Sequence, residues 1–191
     1  MSELGYISEK YESAGRGVAS ISSGRQDPGG VSYGAHQLSS NAGTMHRFLR
    51  SAEGLPYAKR FESLVPGTLA FNKAYLATVA LDKEGFGKAQ RDFITRTHYL
   101  LRAKVAGQLG YRMKSRGIQE AVYSVGVQHG GAEKILRAAA AAPNFKELDP
   151  RAQLEALYRT REAYVTKGVP HLARALQSRY RRELADVLAI A

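Results

Sequence analysis

A single β-like stretch, residues 18–38, interrupts a chain whose apolar residues otherwise recur at helical spacing. Its two arms, Val18–Gly24 and Val31–Leu38, are short and rich in Val, Ile, Ser and Tyr. Val, Ile and Tyr favour strands, and the intervening GRQDPGG contains an Asp-Pro-Gly-Gly sequence typical of a tight turn. The stretch therefore predicts one small β-hairpin.

Every other segment has the pattern of a helix. The first helix carries Leu4, Ile7 and Tyr11 at helical spacing and is expected to end at Gly15 and Gly17. Further helices are predicted at residues 44–53, 56–64, 68–82, 86–109, 117–129, 131–142, 150–167 and 170–191. Because no repeat or linker divides the chain, we expect a mainly α (α+β) fold. It should form one bilobal domain, residues 1–191, with a cleft beside the hairpin.

The charge balance indicates an anionic partner. The chain has 28 Lys and Arg against 17 Asp and Glu, a net charge of +11. The basic residues are scattered, and no RNA-binding aromatic motif or finger spacing occurs, which argues against nucleic acid. Anionic membrane and the bacterial wall, with its teichoic acids or lipopolysaccharide, fit the charge.

Cysteine is absent, so disulfides, thiolate nucleophiles and cysteine-based zinc sites are excluded. The five histidines lack the His-x-x-x-His spacing of helical zinc sites, and we expect no metal and no cofactor. The first residues, MSELGYISEKYES, lack a basic segment followed by an apolar run. We therefore expect a protein made in the cytoplasm without a signal peptide, which acts in the periplasm or cell wall after release or delivery.

Two acidic residues are candidates for catalysis. Glu12 lies in the last turn of its helix, where the negative end of the macrodipole favours the protonated acid. Asp27 follows 15 positions later in the hairpin turn. Glycoside cleavage needs a protonated acid and a base or nucleophile on the opposite side of the sugar. The alternative is structural: Glu12 would be a surface acid paired with Lys10 or Arg16, and Asp27 would cap backbone N–H groups of the turn.

The blocks KYESAGRG and ISSGRQDPGGVSYGAHQLSSNAGT resemble the catalytic stretch of lysozyme-like proteins related to chitosanases and goose-type lysozymes. Those proteins include phage endolysins and type VI secretion lysozyme effectors. A weaker resemblance continues through residues 85–99, 121–132 and 156–165. It implies an inverting reaction in which Glu12 is the general acid, Asp27 is the general base and Ser32 holds the attacking water. In such enzymes the two carboxyls stand roughly 6.5–9.5 Å apart.

Further residues are expected to bind the glycan. Tyr33, His36 and Gln37 follow Ser32 on the hairpin, where alternation would turn some of them toward the groove. Gln128 and His129 precede Gly130-Gly131 and resemble the opposite wall of the cleft. Arg161 matches an arginine that supports the acid from behind, although an arginine on an amphipathic helix is often only a solvated charge.

The resulting functional prediction is a monomeric peptidoglycan hydrolase. It would be a muramidase (lysozyme) that cleaves the MurNAc-GlcNAc β-1,4 bond, with a phage endolysin as the favoured setting. A chitosanase is disfavoured because its polycationic substrate would be repelled by a +11 protein. A lytic transglycosylase would need Glu12 alone, and a basic nucleic-acid or membrane-binding module would need neither carboxylate.

The helix predicted from Pro170 to Ala191 has two interpretations. Its stripe of Leu and Tyr side chains could close the core, or its arginines could engage anionic membrane or lipopolysaccharide. The stripe comprises Leu172, Leu176, Tyr180, Leu184 and Leu188, and the arginines are Arg174, Arg179, Arg181 and Arg182.

Overall fold

The computed structural model describes residues 3–12, 17–25, 27–128, 130–168 and 173–191, with the backbone alone at Glu12 and Ala173. The chain forms two compact units. Unit 1 consists of Met1–Tyr11 with Thr97–Ala191, and unit 2 of Glu12–Arg96. Most of the described residues are helical, with one two-stranded sheet, which confirms the predicted mainly α (α+β) class. The single domain over residues 1–191 stays a prediction.

Unit 2 contains the sheet and four helices among its described residues. Its 3₁₀ turns are Gly17–Ala19 and Lys59–Phe61. The strands are β1 (Ser32–Tyr33) and β2 (Leu38–Ser39), and the helices are α2 (Thr44–Leu49), α3 (Leu55–Ala58), α4 (Leu69–Leu81) and α5 (Lys83–Ile94).

The hairpin differs from its prediction in the segments that pair. β1 and β2 are antiparallel, with Ser32 opposite Ser39 and Tyr33 opposite Leu38. The predicted partner, Val18–Gly24, contributes only an isolated bridge from Ile21 to Tyr33. The reason is a reversal directly after Tyr33, where Gly34 has φ +75° and Gln37 has φ +52°. The described residues of GRQDPGG consequently lie in a connecting segment, and the tight turn lies at residues 34–37.

An aromatic cluster forms the core of unit 2. Phe86 packs against Phe48, Tyr57 and Tyr75 at ring-centroid distances of 5.8, 4.8 and 5.3 Å. Phe71 extends the cluster to the sheet, since its ring contacts that of Tyr33 at 5.1 Å. Because Tyr33 of β1 packs against this cluster, the sheet is fixed to α4 and α5.

Unit 1 is built around one nearly enclosed helix. Residues 117, 118 and 120–126 of α7 are buried on every side, and α6, α8, α9 and α10 pack around it. Small residues such as Gly117 and Gly126 allow this close packing, since a Cβ at Gly126 would stand 3.2 Å from Cγ of Arg102. The helices of this unit are α1 (Tyr6–Glu12, whose last residue is assigned to unit 2), α6 (Leu100–Leu109), α7 (Arg116–Gln128), α8 (Ala132–Ala140), α9 (Pro150–Gly168) and α10 (Ala173–Leu188).

Local sequence explains several boundaries. Asp149 caps α9, because its Oδ1 accepts a hydrogen bond from the N–H of Ala152 at 2.8 Å. The helix predicted at residues 86–109 is two helices, α5 and α6, joined by a π-helical turn at Thr95–Tyr99. The division between the two units falls within this turn. Among the described residues, no helix combines the length and apolarity needed to cross a membrane.

The inward face of α10 is only partly the predicted stripe. Tyr180 and Val187 are fully buried, and the buried Glu183 lies between them. Leu176, Leu184 and Leu188 are half-buried, and Leu172 is outside the described residues. The helix packs on α9 and α7, which favours the core interpretation of this stripe.

Candidate functional site

Helix α1, which ends at Glu12, is held by a carboxylate at each end. At its start, Glu120 accepts hydrogen bonds from the N–H groups of Gly5 at 3.0 Å and Ile7 at 3.4 Å. In its last turn, Oδ2 of Asp186 accepts one hydrogen bond from Nζ of Lys10 at 2.7 Å and another from the hydroxyl of Tyr11 at 2.8 Å. These contacts fix α1 as far as Tyr11 against α7 and α10. The side chain of Glu12 lies outside the description.

The hydroxyl of Tyr11 remains protonated at all ordinary pH. Burial and the hydrogen bond to Asp186 raise the pKa of Tyr11 to about 12. The phenol thus stays a donor to Asp186, and the guanidinium of Arg179 lies 5.9 Å from the centre of its ring. Both contacts restrain the residue that directly precedes Glu12.

Asp27 lies in an exposed but well-fastened turn. Its Oδ1 accepts a hydrogen bond from the N–H of Gly29 at 2.7 Å, the capping role expected of an Asp in such a turn. The turn is tied to the end of β2, because Asn41 donates its backbone N–H to the carbonyl of Gly29 at 3.0 Å and its Nδ2 to the carbonyl of Pro28 at 3.2 Å. Within the described part of the chain, no group donates to Oδ2 of Asp27, so this oxygen is available to water.

Ser32 and Tyr33 follow in β1, and both are buried. The N–H of Ser32 donates to Oγ of Ser22 at 2.8 Å. The hydroxyl of Tyr33 donates to Oδ1 of Asn72 at 2.6 Å and accepts from the N–H of Gly67 at 2.7 Å. With no exposed surface on its ring, Tyr33 is a core residue of unit 2, which differs from its expected position in a sugar-binding groove.

The turn between the strands places His36 and Gln37 differently. His36 is 5% exposed, whereas Gln37 is half-exposed and donates its Nε2 to the carbonyl of Gly34 at 2.9 Å. Gly34 is required here because a Cβ would collide with the side chain of Gln90 and lie 2.8 Å from the hydroxyl of Tyr75. Of the predicted hairpin residues, Asp27 and Gln37 are thus the ones that retain accessible polar groups.

Unit 1 brings Arg161 and Gln128 together. Arg161 has no exposed surface, and its Nη2 donates to Oε1 of Gln128 at 2.7 Å and to Oγ of Ser124 at 3.1 Å. Its guanidinium lies between the rings of Tyr158 and Tyr180, 4.8 and 4.4 Å from their centres. Arg161 is therefore not a solvated surface charge. His129 lies outside the described residues.

The charge of Arg161 is balanced by a buried acid that sequence reasoning missed. Glu183 accepts hydrogen bonds from Nη1 of Arg161 at 2.9 Å and from the hydroxyl of Tyr158 at 2.8 Å. Burial by itself would raise the pKa of Glu183, but the charges of Arg161 and Arg179 outweigh it and lower the pKa to about 2. Glu183 is consequently ionised at neutral pH. The one sequence signal was the four-residue spacing of Arg179 and Glu183, since nothing local links Glu183 to Arg161.

Among the residues that the structure describes, no group of three His, Cys, Asp or Glu side chains could hold a metal ion. The candidate catalytic groups are carboxylates: Glu12, at the end of α1, and the exposed Asp27.

Comparison with known proteins identifies the family. A family model for the C-terminal region of VgrG3-like type VI secretion system spike proteins matches residues 4–184. The chain belongs to this VgrG3-like C-terminal family. The type VI secretion system spike protein VgrG3 of Vibrio cholerae serotype O1 is 34% identical over 147 residues. The aligned part is 76% of this chain and 14% of the relative, so the VgrG3-like domain spans a small fraction of that protein's length.

This membership corrects the functional prediction. The chain is assigned to a type VI spike family, and neither the lysozyme-like superfamily assignment nor the role of a phage endolysin muramidase is supported. The predicted assignment depended mainly on short blocks around Glu12 and Asp27, with a weaker resemblance through residues 85–99, 121–132 and 156–165. The family match is more extensive, because it covers residues 4–184 and therefore helices of both units.

Proposed function

We propose that this VgrG3-like domain is a glycoside hydrolase that a type VI secretion spike protein carries, with Glu12 as general acid and Asp27 as general base. The proposal rests on the hydrogen bonding of the two carboxylate oxygens of Asp27. One carboxylate oxygen is fixed by the N–H of Gly29, the residue is exposed, and no group among the described residues donates to the other oxygen. A base that activates water needs an oriented carboxylate with one free oxygen.

The proposed reaction is a single displacement. Glu12 donates its proton to the leaving glycosidic oxygen while Asp27 removes a proton from water, and the water oxygen bonds to the anomeric carbon. The configuration at that carbon inverts. Both carboxylates belong to unit 2, and the hydrogen bonds of Asn41 hold the Asp27 turn in place while the reaction proceeds.

The proposed partner is the glycan strand of peptidoglycan. A net charge of +11 favours an anionic polymer, and the domain has no nucleic-acid motif. The relative's name, a type VI secretion spike protein, supports delivery by that machine as the route to the wall. We further propose that the domain acts there as a monomer.

Isotope-labelled digestion tests the reaction. Purified peptidoglycan is incubated with the 191-residue chain in H₂¹⁸O, and the products are analysed by mass spectrometry. New reducing ends that carry ¹⁸O are expected. Anhydro ends without ¹⁸O would mean cleavage without water and would remove Asp27 from the mechanism. Binding without any product would refute the enzyme and favour a basic binding module.

A further inference from the structure

A second candidate site lies in unit 1 and contains no residue assigned to catalysis. It is a surface cavity of about 350 Å³ beside the start of α8. Its lining carries three basic side chains and one acidic one, and comprises Arg102, Gly130, Gly131, Glu133, Lys134 and Arg137. None of these residues has a role in the proposed reaction.

Arg102 is one of the basic side chains that line this cavity. Its stem passes Gly126 of α7, where a side chain would crowd it. Its Nε is removed from solvent and has no hydrogen-bond acceptor among the residues that the structure describes. A buried donor without an acceptor is unfavourable, and a guanidinium is suited to a carboxylate or phosphate. Nε itself is closed to water, so a ligand in the cavity would meet the half-buried guanidinium of Arg102 at its terminal N–H groups.

The start of α8 adds donors on the same side. Gly131 precedes the helix and provides no side-chain cap, so the first-turn N–H groups have no capping oxygen from it. The positive end of the helix dipole also favours an anion. Lys134, in the first turn, is exposed and lines the cavity.

The acidic residue of the cavity is already neutralised. Oε1 of Glu133 accepts hydrogen bonds from Nε and Nη2 of Arg137 at 2.9 and 2.8 Å. This pair contributes little net charge, which leaves the positive charges of Arg102 and Lys134 uncompensated within the described part of the chain. The cavity thus has a net attraction for an anion.

We propose that this cavity binds an oxyanion, a carboxylate or phosphate group carried by the anionic polymer on which the domain acts. Arg102 would supply the fixed donors, with Lys134 and the first N–H groups of α8 completing the site. The identification of a wall polymer as the source of the anion rests on the proposed function. Oxyanion binding itself does not depend on that function. A wall polymer offers two sources: the carboxylates of its peptide stems and the phosphates of attached anionic polymers.

NMR titration tests the site without reference to catalysis. Inorganic phosphate is added to ¹⁵N-labelled protein at constant ionic strength, and the amide signals of Gly131, Ala132 and Glu133 are followed. Saturable shifts are expected. Arg102→Gln should weaken binding about tenfold or more, since it removes a charged hydrogen-bond donor. Lys104→Gln, an equal loss of charge at an exposed position on the same helix, should leave the affinity within about twofold.

A second variant should change the affinity for phosphate in the opposite direction. Glu133→Gln removes the negative charge and releases Arg137, so phosphate should bind more tightly than to the wild type. The absence of saturable shifts, or equal affinities of Arg102→Gln and Lys104→Gln, would overturn the proposal. Thermal unfolding of each variant checks that the fold is retained.

The source of the anion is identified with soluble fragments. A muropeptide with its stem is compared with the same disaccharide after the stem is removed. Loss of binding on stem removal would assign the site to stem carboxylates. Binding of phosphate with no binding of the muropeptide would assign it to a phosphate-bearing polymer. Because all readouts are binding constants, an inactive protein that still binds would separate this inference from the proposed hydrolase activity.

Discussion

Nη1 of Arg161 donates a 2.9 Å hydrogen bond to Oε1 of Glu183, and neither side chain has any exposed surface. The pair joins α9 to α10 across the core of unit 1. Removing one partner of such a pair leaves a buried charge without compensation. We therefore expect Glu183→Gln to lower the free energy of unfolding by about 3–5 kcal/mol, measured by urea denaturation. A loss below about 1 kcal/mol, the range of surface pairs, would contradict this role.

The same pair predicts a pH dependence. The folded pKa of Glu183 is lowered from 4.5 to about 2, so its stabilising contribution is present above about 4.5 and is lost as the pH falls toward 2. Burial raises the pKa of Glu120, which acts in the opposite sense, so the wild type alone would mix the two effects. The difference in urea midpoint between the wild type and Glu183→Gln should therefore shrink in this acidic window. A constant difference would contradict the lowered pKa.

Glu12→Gln should abolish glycan cleavage while the protein remains folded. An amide keeps the shape of the side chain but cannot donate a proton to the leaving oxygen, a loss of roughly 10²–10⁴-fold in kcat. Release of soluble fragments from peptidoglycan measures the effect. Glu9→Gln, one turn earlier on α1, is the matched control and should retain activity. Equal activity of the wild type and folded Glu12→Gln would eliminate Glu12 as the acid.

Asp27→Asn separates the catalytic role of Asp27 from its structural one. The Asn oxygen can still accept the hydrogen bond from Gly29, so the turn is preserved, but the amide cannot accept a proton from water. Activity should fall by a factor comparable to that of Glu12→Gln. Azide should restore part of it, because this nucleophile needs no base. Full activity of the Asn variant would show that Asp27 serves only as a turn cap.

Tyr33→Phe tests whether Tyr33 belongs to the core or to the substrate site. The substitution keeps the ring against Phe71 but leaves the N–H of Gly67 and the Oδ1 of Asn72 without their partner. Stability should fall by about 1–3 kcal/mol. KM for soluble glycan fragments should be unchanged, since the buried ring cannot contact a ligand. A raised KM with unaltered stability would restore Tyr33 to the substrate site.

The arginines of α10 should divide into two classes. Arg174, Arg181 and Arg182 are exposed, so their joint replacement by Gln should change the free energy of unfolding by less than about 1 kcal/mol. Arg179→Gln should cost more, because its side chain is 15% exposed and pairs with Glu183 at 3.4 Å. Flotation with anionic vesicles tests the alternative interpretation of α10 as a membrane contact. Lost binding in the triple variant alone would support that interpretation, and equal binding of all variants would exclude these three arginines from it.

Features that depend on near neighbours could be predicted from the sequence. Helical periodicity gave the α-rich class and most helix positions, and the Asp149-Pro150 pair gave the start of α9. These features follow from interactions within a few residues, which a linear pattern contains. Glu12 and Asp27 were identified as catalytic candidates in the same way, because a helix end and a turn are local features of the sequence.

Which residues distant in the sequence lie together became evident only from the folded structure. The register of the hairpin followed from the reversal after Tyr33, and the ring of Tyr33 turned to the core because Phe71 and Tyr75 surround it. Glu183 is separated from Arg161 by 22 positions, and Asp186 from Tyr11 by 175. Whether a charged side chain is solvated or buried against a partner depends on packing between distant segments, and such packing leaves no periodic signal along the chain.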